Sequence, residues 1–237
     1  MRSLHLVTHL GENTAEVARH LAIELENELG ISVEWHAAST VSEITEHGAD
    51  LYWMCGLLTT QLIDSGRLTG RIVAAPVFPG RTEPVYHSVI VATSPLEAGL
   101  RGTTLAINEE GSWSGNHALR VHLGHHPGFA SVATTGSHEA SIDLLLAGEA
   151  DVAAIDDTVW SHRLARDPLL ERLFVVDRTR DWPAPPFTLD ARVPPAMGDS
   201  LTSALVRAKP TGLIRIDRVS DSDYDPIRSA MAEDRDW

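Results

Sequence analysis

The chain has 237 residues, 43% of them hydrophobic and 22% charged, enough to bury a real core as one large or two small domains. A formal net charge of −14, from 19 basic and 33 acidic residues, excludes nucleic-acid binding, which demands a basic face, but not a local donor nest for a small anion. No run approaches about 18 apolar residues, which excludes a membrane-inserted helix, and one cysteine, Cys55, excludes an internal disulfide and a thiolate-rich metal site.

In chain order, SLHLVTHL alternates as a strand. TAEVARHLAIELENELG predicts a helix, with Val17, Leu21 and Leu25 at helical spacing, Thr14 as its cap and Gly30 as its stop. ISVEWHA reads as a strand, TVSEITEHG as a short helix, and ADLYWMCG as a strand ending in a tight turn. LTTQLIDSG is a helix and RIVAAPVF a strand. A second, similar run opens at EPVYHSVIVATS and continues through TTLAINEE, a helix from about Asn116 to Leu123, and FASVATTGS. HEASIDLLLAGEADVAAID supplies a helix and a strand, and RLFVVDRT another strand.

The proline-rich DWPAPPFTLDARVPP is expected to be neither a helix interior nor a central strand, and reads as an extended crossing segment. GDSLTSALVRA is helical, and SDSDYDPIRSAMAEDRDW is an acidic surface tail. Alternating strands and helices give an α/β fold with mainly parallel sheets. Crossings near 81–92 and 183–193 divide it into a lobe of residues 1–83 plus 192–237 and a lobe of residues 84–191. A ligand cleft between them that closes by hinge bending is the expectation.

The stretch INEEGSWSGNHALRVHL carries the chemistry. Two serines and a glycine between a strand and a helix start leave unpaired N–H groups beside hydroxyls, a combination that suits an oxyanion; a plain serine N-cap is the competing reading. His138 opens the next helix, where Ser137 is placed to cap. It would donate to an anion or stand as a surface histidine. Asp156 and Asp157 end a buried strand where α/β sheets bind ligands, and either would also cap the following helix. Tyr52, Trp53 and Tyr86 sit at strand ends as pocket walls or as core. The histidines 117, 122, 125 and 126 match no zinc spacing, and neither a phosphate-loop lysine motif nor a dinucleotide fingerprint is present, so neither metal nor cofactor is expected.

Taken in order, ADLYWMCG, PVYHSVIVATS, LRGTTLAINEEGSWSGNHALR, FASVATTGSHEASIDLLLAGEADVAAIDDTVW and the proline-rich return strand resemble the phosphonate/phosphite-type substrate-binding proteins of ABC transporters, with the type II periplasmic binding-protein fold. The resemblance covers about residues 45–205. It implies that Ser112, Trp113, Ser114 and Gly115 hold the anion with His138, that Asp156 reaches the ligand's other end, and that Tyr52 and Tyr86 line the cleft. The additional rings of Trp113 and Trp53 imply a ligand with a flat or apolar portion.

The partners so implied are a small phosphonate-, phosphite- or phosphate-like ligand and an ABC permease, with the protein itself a monomer. MRSLHLVTHLGENTAEV lacks a leader's apolar run, so the chain as given reads as cytoplasmic; a periplasmic or cell-surface place is the alternative if a leader precedes it. The alternative function is a cytosolic enzyme or ligand sensor on the same scaffold, with His138 as acid or base.

Overall fold

Alternation in LHLVTH makes β1 (Leu4–His9), in a computed structural model that describes residues 3–97 and 99–233. Next come α1 (Ala15–Leu29), β2 (Val33–Ala37), α2 (Val41–His47), β3 (Leu51–Met54), α3 (Gly56–Asp64), β4 (Gly70–Val77) and β5 (Val85–Tyr86). The helical spacing of α1 buries Ala18, Leu21, Ala22 and Leu25, and Gly30 stops it at φ 65°. Thr14 does not cap this helix. A 3₁₀ turn at Glu12–Thr14 precedes it, and the threonine hydroxyl donates back to the Gly11 carbonyl at 2.7 Å.

The middle of the chain supplies β6 (Ser88–Ala92), β7 (Thr104–Ile107), a π-helical turn (Trp113–His117) running into α4 (Ala118–Leu123), β8 (Ser131–Thr134), α5 (His138–Ala147), β9 (Val152–Asp156), α6 (Asp157–Leu164) and β10 (Phe174–Arg178). After β11 (Trp182–Pro183) follow β12 (Phe187–Asp190), α7 (Pro195–Arg207), β13 (Arg215–Arg218) and α8 (Asp225–Glu233).

These elements group into two units, one of Met1–Val85 with Pro183–Arg228 and one of Tyr86–Trp182 with Ser229–Trp237. The first holds a six-stranded sheet in the order β13-β4-β12-β3-β1-β2. β1 runs parallel to β2 and β3, while β12 is antiparallel to β3 and β4. Both faces of this sheet are covered. Leu4, Leu6, Leu51, Trp53, Phe187 and Leu189 pack with Leu21, Leu25 and Leu201 on one side; Val7, Tyr52 and Met54 pack with Ile44 and Leu62 on the other.

Two expectations fail in this unit. The proline-rich segment contains a central strand after all, because FTLD itself is free of proline and the rings at 185, 186, 194 and 195 flank the ladder. The return into the first unit is therefore complete before Phe187 and not near residue 191. The acidic tail is not all surface either: Tyr224 and Ile227 are fully buried, and the Tyr224 hydroxyl donates to the Ala184 carbonyl at 2.6 Å.

The second unit holds a five-stranded sheet in the order β10-β6-β9-β7-β8. β7 runs parallel to β8 and β9, and β6 is antiparallel to β9 and β10. Period-two alternation again feeds two cores. Val89, Val91, Ala153 and Ile155 face Ile142, Leu145, Val159 and Trp160, whereas Ile90, Ala92, Val152 and Ala154 face Leu119.

Candidate functional site

Because β7, β8 and β9 are parallel, their C-terminal ends at Ile107, Thr134 and Asp156 share one edge of the second unit's sheet. Loops leaving that edge are where α/β sheets present ligand groups. Ser88, the first residue of antiparallel β6, pairs with Asp156 and reaches the same edge.

After β7 the chain turns through Asn108–Ser112 and starts a helix at Trp113, three residues before the start expected from sequence. The first turn is π-helical, with the His117 N–H donating to the Ser112 carbonyl at 3.1 Å. Such turns recur at functional sites. The Ser112 side chain accepts the Gly115 N–H at 3.1 Å, so it does cap the helix, a role that leaves its own proton uncommitted. Asn116 Nδ2 donates to the Glu110 carbonyl at 2.7 Å and Ser88 Oγ to the Ser114 carbonyl at 2.8 Å, pinning both sides of the turn. Ser114 Oγ lies 2.9 Å from His138 Nε2. His138 is the first residue of α5, whose cap is Ser137, accepting the Ala140 N–H at 3.0 Å.

Two helix starts thus converge, joined by the serine–histidine contact. The first N–H groups of each have no intrahelical acceptor. Burial pushes the His138 imidazole down to about 4, with the Ala154 carbonyl pulling the other way. Nδ1 is buried and makes no hydrogen bond of normal geometry. At neutral pH the ring of the ligand-free protein is therefore neutral. Burial raises the Asp156 carboxyl to about 6, the neighbouring Asp157 charge adding to this and hydrogen bonds from Thr158 opposing it. Asp156 caps α6: its Oδ1 accepts the Thr158 N–H at 2.8 Å and the Thr158 hydroxyl at 2.6 Å. Asp157 turns away to accept the His87 N–H at 3.2 Å.

The chain matches, over residues 9–230, the family described as ABC transporter, phosphonate, periplasmic substrate-binding protein. It belongs to that family. Its fold is the type II periplasmic binding-protein fold. PhnD1 from Prochlorococcus marinus in complex with methylphosphonate is similar at 17% identity and TM-score 0.83, over 98% of this chain and 97% of that one. A binding protein component of an ABC phosphonate transporter from Pseudomonas aeruginosa gives 15% and 0.81, over 98% and 86%. A Xanthomonas citri protein bound to ATP gives 17% and 0.70, over 99% and 98%. A search of curated proteins finds no match.

In this member of the phosphonate substrate-binding family, the residues singled out from sequence do not all come together. Ser112, Ser114, Gly115, His138 and Asp156 come together at one edge of the second unit. Trp113 is in the same loop, but its ring is fully buried, edge-on to Trp182 at 4.6 Å and stacked near His117 at 6.4 Å. With the helix already under way at residue 113, this side chain is carried into the interior and adds no bulk against a ligand.

Tyr52 and Trp53 belong to the first unit's core. β3 is central and covered on both faces, so neighbouring side chains are buried in opposite directions. Trp53 stacks on Phe187 at 5.0 Å and donates Nε1–H to the Pro185 carbonyl at 3.1 Å. The Tyr52 hydroxyl accepts the Ala49 N–H at 2.7 Å and donates to Asp190 at 3.4 Å. Both rings are spent on packing within the first unit, so neither supports the inference of a flat or apolar ligand portion. Tyr86 is buried on the two-residue β5, which pairs with β11.

The histidine-rich HLGHH stretch is scattered. His122 Nε2 lies 2.8 Å from Asp177, and His126 Nδ1 accepts the Gly128 N–H at 3.0 Å. Sequence reasoning missed Asn108, the first residue past β7. Its Oδ1 is buried without a hydrogen-bond partner against Gly115. The available signal was its position: the first polar side chain beyond a buried strand, at the edge where ligands sit.

Proposed function

We propose that this substrate-binding protein holds a small oxyanion of the phosphonate, phosphite or phosphate class on the second unit, at the joined starts of the Trp113 helix and α5. The observation that carries this reading is the 2.9 Å contact between Ser114 Oγ and His138 Nε2 at the C-terminal edge of three parallel strands. In the imidazolium form that a bound anion favours, Nε2–H donates to Ser114 Oγ, and the serine proton is free for the guest. The uncommitted Ser112 proton and the first N–H groups of both helices add donors, and the two helix dipoles favour negative charge. A bound oxyanion beside His138 would favour its imidazolium, so binding takes up protons. Asp156, with its raised pKa, meets a donor on the guest, a protonated oxygen or an amine.

The serine–histidine distance also suits an activated nucleophile. Two observations weigh against that role. His138 Nδ1 has no carboxylate to orient it, Asp156 being engaged by Thr158, and a ring with a pKa near 4 is a feeble base. We therefore read the protein as a non-catalytic carrier. It delivers its ligand as a monomer to an ABC permease outside the inner membrane, in keeping with the family's periplasmic description.

Calorimetric titration with methylphosphonate, phosphite, phosphate and sulfate tests the binding. At least one phosphorus oxyanion should bind the parent, and Ser114→Ala and His138→Ala should each weaken it by about tenfold or more. Wild-type affinity in both variants would remove the site. Mass analysis of the ligand after prolonged incubation should return it intact; turnover would favour the enzyme reading.

A further inference from the structure

We propose that Asn108 is a further ligand-binding residue of this seat, its carboxamide NH₂ held outward as a donor to an anion oxygen. The proposal rests on the anion reading above.

A Cβ built on Gly115 would lie 1.8 Å from Asn108 Oδ1, 2.5 Å from Asn108 Cγ and 3.0 Å from His138 Cε1. Gly115 is not in the left-handed region. Glycine is required here for space, and the space is taken by Asn108 and His138, not by a ligand. The direction of the absent Cβ is also that of a glycine α-hydrogen, so Oδ1 accepts a weak Cα–H···O contact from Gly115. Turning the amide over would drive N–H against C–H at the same short range, which fixes the oxygen inward. Oδ1 has no other partner and is shut off from solvent.

The nitrogen is therefore the outer end of the side chain. Nδ2 makes no hydrogen bond to the described residues and is not among the atoms closed off from solvent. The backbone beneath it is held, because the Asn108 carbonyl accepts the Gly136 N–H at 2.7 Å. Asn108 and His138 thus flank one glycine from two elements, with Ser114 next to it. A rigid, neutral, unpartnered NH₂ at the end of β7, beside the serine–histidine pair, is suited to an oxygen acceptor and adds no charge.

Isothermal titration of the full chain with methylphosphonate and with inorganic phosphate tests this, together with ligand-free melting. Asn108→Asp keeps an oxygen lodged on Gly115 and converts the outward donor into a carboxylate oxygen. Its melting temperature should stay close to the parent's while affinity for the bound probe falls by about a hundredfold or more. Asn108→Ala, which removes the donor without adding charge, should lose about tenfold. Binding within about twofold of the parent by either folded variant overturns the proposal. So does a loss of affinity that in both variants comes with a large fall in ligand-free melting temperature, since Asn108 would then be only a strut. Ser114→Ala separates the two readings. If it weakens binding while both Asn108 variants bind normally, only the Asn108 assignment fails. If the parent binds neither probe, or Ser114→Ala binds like the parent, the seat itself fails and Asn108 with it.

Discussion

Gly56 and Gly115 occupy comparable places in the two units, each at the start of a helix that follows a buried parallel strand. In both, a side-chain carbon would collide with a neighbour. At Gly56 the neighbours are Ile227 Cδ1 at 2.8 Å and the Tyr224 ring at 3.3 Å; at Gly115 they are a carboxamide oxygen and an imidazole. The same backbone device is closed with hydrocarbon in one unit and with hydrogen-bonding groups in the other. Close packing at a helix start therefore says nothing by itself about ligands. What matters is whether the groups that fill the gap bring donors with them.

The largest effects expected from this contrast are in the cores. Trp53→Ala and Trp113→Ala should each cost about 3–5 kcal/mol in urea unfolding, since both rings are fully buried. Only the Trp113 variant should also weaken anion binding beyond the loss of folded protein, because residue 113 carries the loop backbone. Equal binding losses in the two would break the contrast. Next come the glycines. Gly56→Ala and Gly115→Ala should each lose about 1–3 kcal/mol from overpacking, but Gly115→Ala should also lose phosphonate affinity by displacing Asn108 and His138, whereas Gly56→Ala should bind normally. Ser112→Ala should cost about 1 kcal/mol as a lost cap, read as a small shift of the unfolding midpoint.

The smallest effect is a pH dependence confined to the polar edge. Asp156 is raised to about 6, so its contribution to stability is present at low pH and is lost as pH rises through about 6. His138 is lowered to about 4, so its contribution is present at neutral pH and is lost as pH falls below its ordinary value toward 4. The two slopes oppose each other across roughly pH 4 to 6 and largely cancel. Asp156→Asn, which keeps a capping side chain, should therefore lose stability on acidification more steeply than the parent. His138→Gln should lose it less steeply. Parallel melting curves for parent and variants from pH 4.5 to 7 would show that neither shift is real.

Much of this was legible in the residues. Leu21 and Leu25 at helical spacing, the alternating VIVA and VAAI strands, and the serine caps at 112 and 137 are local signals, each set by backbone geometry within a few residues. The ordered set of the Ser-x-Ser-Gly turn, the Gly-x-His helix start and the acid after Ala-Asp-Val was enough to point to the family. Burial of a given aromatic was not legible. A tyrosine or tryptophan at a strand end looks the same whether the strand is central or at an edge, and β3 became central only when β12 inserted beside it. The prolines around FTLD concealed that insertion.

From the chain alone followed the α/β class, the serine caps at 112 and 137 and the candidacy of the serine–glycine turn as an anion seat, because these depend on contacts between near neighbours. Only the folded molecule decided that Trp113 and Trp53 serve the cores, that the Ser114 hydroxyl meets His138, and that Asn108 is wedged on Gly115. Those pairings join residues from separate strands and helices. Which of them meet is fixed by strand order and register, not by any spacing along the sequence.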